Sequence, residues 1–212
     1  MKKSYLFGVA WKAAPALLFS LMAPNAATGS PLYDTFGPLD DATFGGTGIP
    51  NDEVAISSQF SNGTSTITVA MSATQRYTNP PLTNDGAGTC FAGAGSNIPS
   101  GTTDQGALWH FNYYINIDSP TETLDDYDIT LFYDFDPAFD NGPAGLGTIN
   151  VTNSIVALLG AGTTTKVEGS ENLMFGYLAS DNTGFIVAPR YSPFDPNALG
   201  EYNFGIQVSQ AG

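Results

Sequence analysis

Cysteine and histidine are almost absent from this sequence, which contains one of each. Cys90 has no partner for an internal disulfide, and the residues around it are small or apolar and include no base, so we interpret it as a buried structural thiol. The lone imidazole of His110 excludes a metal site built from several histidines. His110 stands between Trp109 and Phe111 without a Gly-x-Ser-x-Gly motif elsewhere, which favours a surface histidine opposite the core over a catalytic triad.

Basic residues are also scarce, with 6 Lys and Arg against 20 Asp and Glu. Three of the six (Lys2, Lys3 and Lys12) lie in the first 29 residues, where no acidic residue occurs. The remaining chain has three basic residues against 20 acidic ones, a formal net charge of −17. Such a chain repels phosphate backbones, which excludes nucleic acid as a partner and disfavours anionic lipid. Divalent cations and neutral or cationic polymers fit this charge.

No hydrophobic run reaches the length of about 20 residues that a membrane-spanning helix needs. The longest, Ala13 to Ala23, is interrupted by a proline and a serine, follows Met1-Lys2-Lys3 and precedes small residues around Ala26. This order predicts a secretory signal peptide over residues 1–29 and a single domain over residues 30–212. We therefore expect a secreted or cell-surface protein without a membrane span.

Turn-forming and aromatic residues are abundant instead: there are 24 Gly and 14 Pro, and aromatics make up 12% of the chain. Apolar and polar residues alternate in several short runs, the pattern of half-buried strands. The runs at Val54–Phe60 and Ile67–Met71 flank Asn62-Gly63 and predict a hairpin. Further strands are predicted at 108–117, 127–135, 147–151, 155–159, 173–178, 185–188 and 201–208.

These runs predict an all-β fold, an antiparallel β-sandwich of the jelly-roll or Ig-like kind, with a closed β-barrel as the alternative. No sustained helical period is present. The sequence ends two or three residues after a run that has the pattern of a central strand. A sandwich is expected to place another strand beside it, so we expect the domain to be truncated at its C-terminus.

Acidic residues cluster where the run 127–135 ends in a turn. Asp134, Asp136, Asp140 and Asn141 form D-x-D-x-x-x-D-N. Clustered carboxylates with backbone carbonyls supply the six to eight oxygens that calcium prefers, so these four residues are a candidate calcium site and calcium is the one candidate cofactor. The spacing is not that of an EF-hand. The alternative is an Asx-type turn in which the aspartates cap backbone N–H groups.

Five segments outside the predicted signal peptide are distinctive: Phe36–Gly46, Ala73–Tyr77, Tyr133–Pro137, Asn172–Gly176 and Phe194–Tyr202. Together they resemble exported Gram-negative bacterial proteins of the group that carries a PEP-CTERM sorting tail. The resemblance implies an extracytoplasmic protein of bacteria that form exopolysaccharide or biofilm. None of the segments is a catalytic motif. The tail itself, with a Val-Pro-Glu-Pro-like signal and an apolar helix, is missing from this sequence.

Three functions are compatible with these observations. The first is a non-enzymatic surface or extracellular-matrix protein, steadied by calcium if the acidic turn binds it, with polysaccharide or other surface proteins as partners. The second is a carbohydrate-binding module in which strand aromatics such as Trp109, Tyr114 or Phe132 stack on sugars. The third is a glycoside-active enzyme, which needs two acids flanking a sugar. No catalytic residue is predicted.

Overall fold

The computed structural model describes residues 33–61, 65–77, 81–139, 143–160, 162 and 164–211, and the backbone of residues 4–12. Side chains of residues 59–61 and 159 are not among those described. This part of the chain is mostly β, as predicted, with fourteen strands and one α-helix, α1 (Val151–Leu159). The strands are β1 Ser4–Lys12, β2 Thr35–Gly37, β3 Val54–Ser61, β4 Ser65–Gln75, β5 Thr83–Asn84, β6 Cys90–Phe91, β7 Ser96–Asn97, β8 Gly106–Ala107, β9 Trp109–Asp118, β10 Tyr127–Tyr133, β11 Gly147–Asn150, β12 Lys166–Glu171, β13 Ile186–Val187 and β14 Glu201–Gln210.

Two large sheets contain most of these strands. The first has the order β13-β11-β10-β14-β1-β6-β5, and the second has the order β12-β9-β4-β3-β2. Pairing is antiparallel throughout, except for a single parallel contact between β1 and β6. Within the described residues neither sheet closes on itself, because each has two edge strands, so the closed barrel is not formed there.

One hydrophobic core joins the two sheets. On β10 every second residue is buried, as the alternating pattern predicted. On β14 the predicted core residues Tyr202, Phe204, Ile206 and Val208 are buried, but Glu201, Asn203 and Gly205 between them are buried as well, so both faces of this strand are covered. Phe204 of β14 packs against Phe111 of β9 with ring centroids 4.7 Å apart, and Trp109 lies 6.0 Å from the same ring. The remaining core-facing residues of β4 and β9 include Ile67, Val69, Met71, Ile115 and Ile117, all nearly inaccessible.

The predicted hairpin is present as strands β3 and β4, which pair from Ala55↔Met71 to Ser61↔Ser65. Its Asn62-Gly63 turn lies outside the described residues. The other long strands, β9, β10 and β14, also match their predicted positions within two residues. Cys90 is buried, which confirms the prediction for its environment.

The strand predicted at residues 155–159 is wrong, because this segment belongs to α1. The Asn150 side chain caps the helix by accepting a hydrogen bond from the Asn153 backbone N–H at 2.8 Å. Val151 and Ile155, one helical turn apart, face the core. Gly160 ends the helix with a φ of 83°, a conformation that favours glycine.

The strand predicted at residues 173–178 is also wrong. The chain instead turns after β12 and enters a 3₁₀ helix, Gly176–Ala179. The cause is the buried side chain of Asn172, whose Oδ1 accepts from the backbone N–H groups of Ala107 (2.9 Å) and Met174 (3.1 Å). Its Nδ2 donates to the carbonyls of Ala107 and Trp109. The Asn172 side chain thus makes the hydrogen bonds to the backbone that a neighbouring strand would otherwise make.

The outer face of the second sheet is covered by residues 39–49, which we call the cover segment. Phe44 and Ala42 of this segment pack against Tyr114 and Ala70, forming a small second core. A carboxylate on β12 fastens it: Glu168 accepts hydrogen bonds from Thr43 N (2.7 Å), Thr43 Oγ1 (2.7 Å) and Phe44 N (2.8 Å).

Strand β1 falls inside the predicted signal peptide, yet it lies in the middle of the first sheet, paired with β14 from Ser4↔Ser209 to Lys12↔Glu201. Signal cleavage, the position of the domain boundary and truncation stay predictions. No helix in the described part of the chain is both long and apolar enough to cross a membrane.

Candidate functional site

The acidic turn after β10 is arranged as an Asx-type turn in its described half. Asp134 is almost fully buried, and its Oδ1 accepts from the backbone N–H of Asp136 at 2.8 Å. Its Oδ2 accepts from the backbone N–H of Asn203 at 3.2 Å, which ties the turn to β14. Asp136 in turn accepts from the Ala138 N–H at 3.0 Å. These aspartates therefore cap the backbone, as the alternative to calcium binding requires.

Asp140 and Asn141, the other half of the candidate calcium site, lie outside the described residues. Among the residues that are described, no group of three or more His, Cys, Asp or Glu side chains is positioned to hold a metal ion. Calcium binding at Asp134, Asp136, Asp140 and Asn141 therefore stays a prediction.

The strand aromatics expected to stack on sugars are not available for stacking. Trp109 points into the core, where it contacts Phe194 and Phe204. Tyr114 is on the outer face, but the cover segment buries it, and Lys166 Nζ lies 5.0 Å from its ring centroid. Phe132 is half-buried. The sequence-based choice of these three residues was wrong for Trp109 and Tyr114.

A different set of rings is exposed at one end of the second sheet, and we call it the aromatic platform: Tyr77, His110, Phe175 and Tyr177. Consecutive rings are in contact, with centroid distances of 6.2 Å, 6.2 Å and 5.8 Å in that order. Tyr77 is 58% exposed and Tyr177 is 47% exposed. Tyr77 adopts a φ of 59°, an uncommon conformation for a residue other than glycine, of the kind that often occurs at functional sites.

His110 lies opposite the main core, as predicted, but it is half-buried rather than open to solvent. Tyr77 and Phe175 flank its ring, and its Nδ1 is 3.0 Å from Ser170 Oγ. Burial, reinforced by the positive charge of Arg76, lowers the pKa of His110 to about 4. The imidazole is therefore neutral at neutral pH and acts as a polar, uncharged part of the platform.

Arg76 lies beneath Tyr77 and fixes the position of the neighbouring loop. It is almost fully buried, and its two terminal nitrogens each donate at 2.9 Å to a carbonyl, one of Asn97 and the other of Asp104. Its Cζ lies 4.7 Å from the Tyr77 ring centroid, a cation–π contact. Gly106 makes room for the guanidinium, since a Cβ there would lie 2.5 Å from Cζ.

Three buried polar atoms under the platform have no hydrogen-bond partner among the described residues: Arg76 Nε, His110 Nε2 and Asn112 Oδ1. His110 and Asn112 occupy alternate positions on β9, next to Thr74 and Ser72 of β4, so the atoms belong to the same face of the sheet. Arg76 Nε is a donor and Asn112 Oδ1 is an acceptor.

No protein-family model, curated protein or solved structure matches this chain. The resemblance to the PEP-CTERM group stays a prediction.

Beside the platform, Glu171 is surrounded by tyrosines. The Tyr177 hydroxyl donates a hydrogen bond to the Glu171 carboxylate. Burial raises the pKa of Glu171, although this hydrogen bond opposes the change. Burial and then the charge of Glu171 raise the pKa of Tyr113 to about 12. The hydrogen bond to Glu171 thus fixes the orientation of the Tyr177 phenol.

The arrangement has groups that can bind a hydroxylated ring. Exposed rings offer faces for stacking on apolar C–H groups, and the carboxylate of Glu171 can accept a hydrogen bond. Glycoside hydrolysis requires a second carboxyl group about 5–10 Å away across a bound sugar.

Sequence reasoning missed the platform because its members come from three distant segments. Tyr77 follows β4, His110 lies on β9, and Phe175 and Tyr177 surround the turn after β12. One signal was present: Tyr77 follows an alternating strand and precedes the Asn-Pro-Pro stretch 79–81, where a strand must end and its last side chains become exposed.

Proposed function

We propose that this is an exported, non-enzymatic β-sandwich protein of the cell surface or extracellular matrix that binds a neutral polysaccharide on the aromatic platform. Extracytoplasmic location is expected from the signal peptide over residues 1–29 and from the PEP-CTERM-group resemblance. The sandwich is supported by the shared core between the two large antiparallel sheets. The pairing order leaves the choice between jelly-roll and Ig-like topology open.

The observation that carries this proposal is the row of ring contacts that leaves Tyr77 and Tyr177 exposed on either side of a neutral His110. Isolated exposed aromatics are common on protein surfaces, but neighbouring exposed rings form a larger apolar patch. Such a patch is unfavourable in water, and a ligand that covers it removes this unfavourable exposure.

Charge sets the class of polysaccharide. Beyond the predicted signal peptide the chain has three basic and 20 acidic residues. Uronic-acid or sulfated polymers would be repelled over most of this surface. The arginine nearest to the platform, Arg76, is already directed to backbone carbonyls. A neutral glucan, mannan or galactan meets no such barrier.

The proposal is tested by affinity electrophoresis and a glycan array of the purified protein, with and without calcium. Tyr77→Ala and Tyr177→Ala are each expected to weaken binding about tenfold, since the loss of one ring's buried area and contacts should cost about 1.4 kcal/mol. Tyr191→Ala is the matched control, because Tyr191 is 59% exposed and makes no ring contact with the platform in the described residues.

Tyr177→Phe separates stacking from hydrogen bonding, since it keeps the ring and removes the hydroxyl that contacts Glu171. If stacking dominates, this variant binds within about twofold of the unmodified protein. Absence of binding to every neutral glycan would remove carbohydrate binding and leave a purely structural surface role. Equal losses in Tyr77→Ala and Tyr191→Ala would instead show that the glycan binds elsewhere than on the aromatic platform. Release of reducing sugars from a bound polymer would instead favour the enzymatic alternative.

A further inference from the structure

Strand β14 has a long edge that depends on β1 for its pairing. On its other side β14 pairs with β10 from Tyr127↔Gln210 to Phe132↔Gly205. On the β1 side an unbroken register of nine residue pairs runs from Ser4↔Ser209 to Lys12↔Glu201. Beyond β1 lies β6, which contacts it at Trp11↔Cys90. The interval between β14 and β6 is therefore one strand wide.

The residues of β1 are the part of the chain that the sequence assigns to a removable leader. In an antiparallel pair the N–H and C=O of one residue point to the same side and successive residues alternate. Removal of residues 1–29 would therefore leave about four or five residues of β14 with both backbone groups directed into the interval. An uncovered edge of this length is a template for pairing with another strand.

The side chains of β14 define what can take the place of β1. Its core-facing residues, Tyr202, Phe204, Ile206 and Val208, are at most 2% exposed. Facing residues of an antiparallel pair project to the same side of the sheet. A strand that pairs with β14 in this register thus has four positions directed to the core, and the positions between them lie beside Asn203, Gly205 and Gln207 on the opposite face.

We propose that in the leader-free protein this edge of β14 is an acceptor site for an extended peptide strand. The occupant runs antiparallel to β14, spans about nine residues and has apolar residues at alternate positions, so that it completes the core beside Tyr202 to Val208. Main-chain hydrogen bonds supply affinity and the core-facing positions supply selectivity. The seating of Ser4–Lys12 along the whole edge is the observation that defines length, direction and register.

The test begins with the protein as it is exported. Intact mass establishes whether residues 1–29 have been removed, and light scattering gives the oligomeric state. A synthetic peptide with the sequence of Ser4–Lys12 is then added, and amide hydrogen exchange is followed by mass spectrometry. The expected result is exchange slowed at least about tenfold within residues 201–210, with residues 109–118 of β9 unchanged. A peptide of the same composition in scrambled order, which loses the alternation, is expected to have no effect.

A second format covers the case in which the leader-free protein does not stay soluble. The full chain is produced without export and with a protease site inserted between residues 13 and 32, cleaved, and refolded with a labelled Ser4–Lys12 peptide. Uptake of the labelled peptide in preference to the scrambled one supports the acceptor site, and equal or absent uptake of both overturns it.

Three results of the first format overturn the proposal. The first is retention of the leader in the exported protein, because β1 then fills the interval permanently. The second is protection of residues 201–210 before any peptide is added, since a second copy, visible as a dimer, or another part of the chain then covers the edge. The third is unchanged exchange in β14 at saturating peptide. None of these results bears on glycan binding by the aromatic platform.

Discussion

Replacing Glu168 with alanine is expected to detach the cover segment from the second sheet without unfolding the protein. The carboxylate accepts three hydrogen bonds from Thr43 and Phe44, at 2.7–2.8 Å, and its ion pair with Lys166 has an N–O distance of 3.3 Å. Hydrogen bonds to a charged group contribute up to about 1.5–3 kcal/mol each when buried. These are partly exposed, and an exposed ion pair adds about 0.5 kcal/mol or less. The expected loss is therefore about 2 kcal/mol.

Thermal and urea unfolding measure this loss, and a domain of this size should lose about 4–8 °C in Tm for about 2 kcal/mol. Glu168→Gln keeps an acceptor and is expected to cost about half as much. Thr43→Val removes only the Oγ1 bond and is expected to cost about 1 kcal/mol. Asp52→Ala is the control, since it removes one negative charge from an exposed position. Limited proteolysis reports directly on residues 39–49.

The pH dependence has a defined sign. Burial alone would raise the pKa of Glu168, but the hydrogen bonds from Thr43 and Phe44 and the contact with Lys166 outweigh it and lower the pKa. A carboxyl group with a lowered folded-state pKa adds stability that is present above its ordinary pKa and is lost as the pH falls through the lowered value. The stability difference between the unmodified protein and Glu168→Gln should thus be constant above about pH 5.5 and shrink below about pH 4.5.

The reasoning is refuted if Glu168→Ala lies within about 0.5 kcal/mol of Asp52→Ala, which is the usual range for a surface substitution. It is also refuted if Glu168→Ala leaves proteolysis of residues 39–49 unchanged.

Three other predictions follow from single residues. The His110 imidazole should stay neutral down to a pH of about 4, so an NMR titration with a midpoint near 6.5 would contradict its described environment. Asn172→Ala should cost about 3 kcal/mol, because it leaves buried backbone groups of Ala107 without partners, and a loss below about 1 kcal/mol in urea unfolding would mean that the turn relaxes easily. If the acidic turn binds calcium, millimolar calcium should raise Tm relative to a chelator, and Asp136→Asn should abolish the rise. An unchanged Tm would leave Asp134 and Asp136 as turn caps.

The long strands could be predicted because their environment is encoded locally. Along β9, β10 and β14 the residues that face the main core are mostly apolar and occur at every second position, and this is a period-two signal in the sequence itself. The shared core then follows, since two such faces must cover each other. Pairing order is not local: β14 lies between β10 and β1, a partner nearly 200 residues away.

The two wrong strand predictions have a common cause. Apolar runs of five or six residues do not distinguish a strand from a short helix. At residues 151–159 the Asn150 cap and Gly160 favour a helix over a strand. At residues 173–178 the hydrogen bonds of the Asn172 side chain favour a turn over a strand. Asn150 and Asn172 each stabilise the local conformation through hydrogen bonds to specific backbone groups. The contacts of Asn172 with Ala107 and Trp109 span more than 60 residues of sequence, so a local pattern does not reveal them.

The candidate site was the least predictable part. Nothing in the sequence around His110 indicates that Tyr77 and Phe175 flank its ring, because these contacts depend on where two other strands end. The acidic turn, in contrast, was visible in sequence, and its described half forms the capping arrangement that had been one of two alternatives.

Two of the three basic residues beyond the predicted signal peptide have their side chains hydrogen-bonded to backbone carbonyls, Arg76 in the interior and Lys166 at the partly exposed surface. Arg76 donates to the carbonyls of Asn97 and Asp104, and Lys166 donates to the carbonyl of Asp41 at 2.8 Å. Amine-reactive coupling to a sensor chip or bead would therefore modify Lys166, the only lysine after Lys12, and disturb the anchor of residues 39–49. Immobilisation through a C-terminal affinity tag keeps that anchor intact and leaves Tyr77 and Tyr177 accessible to an analyte.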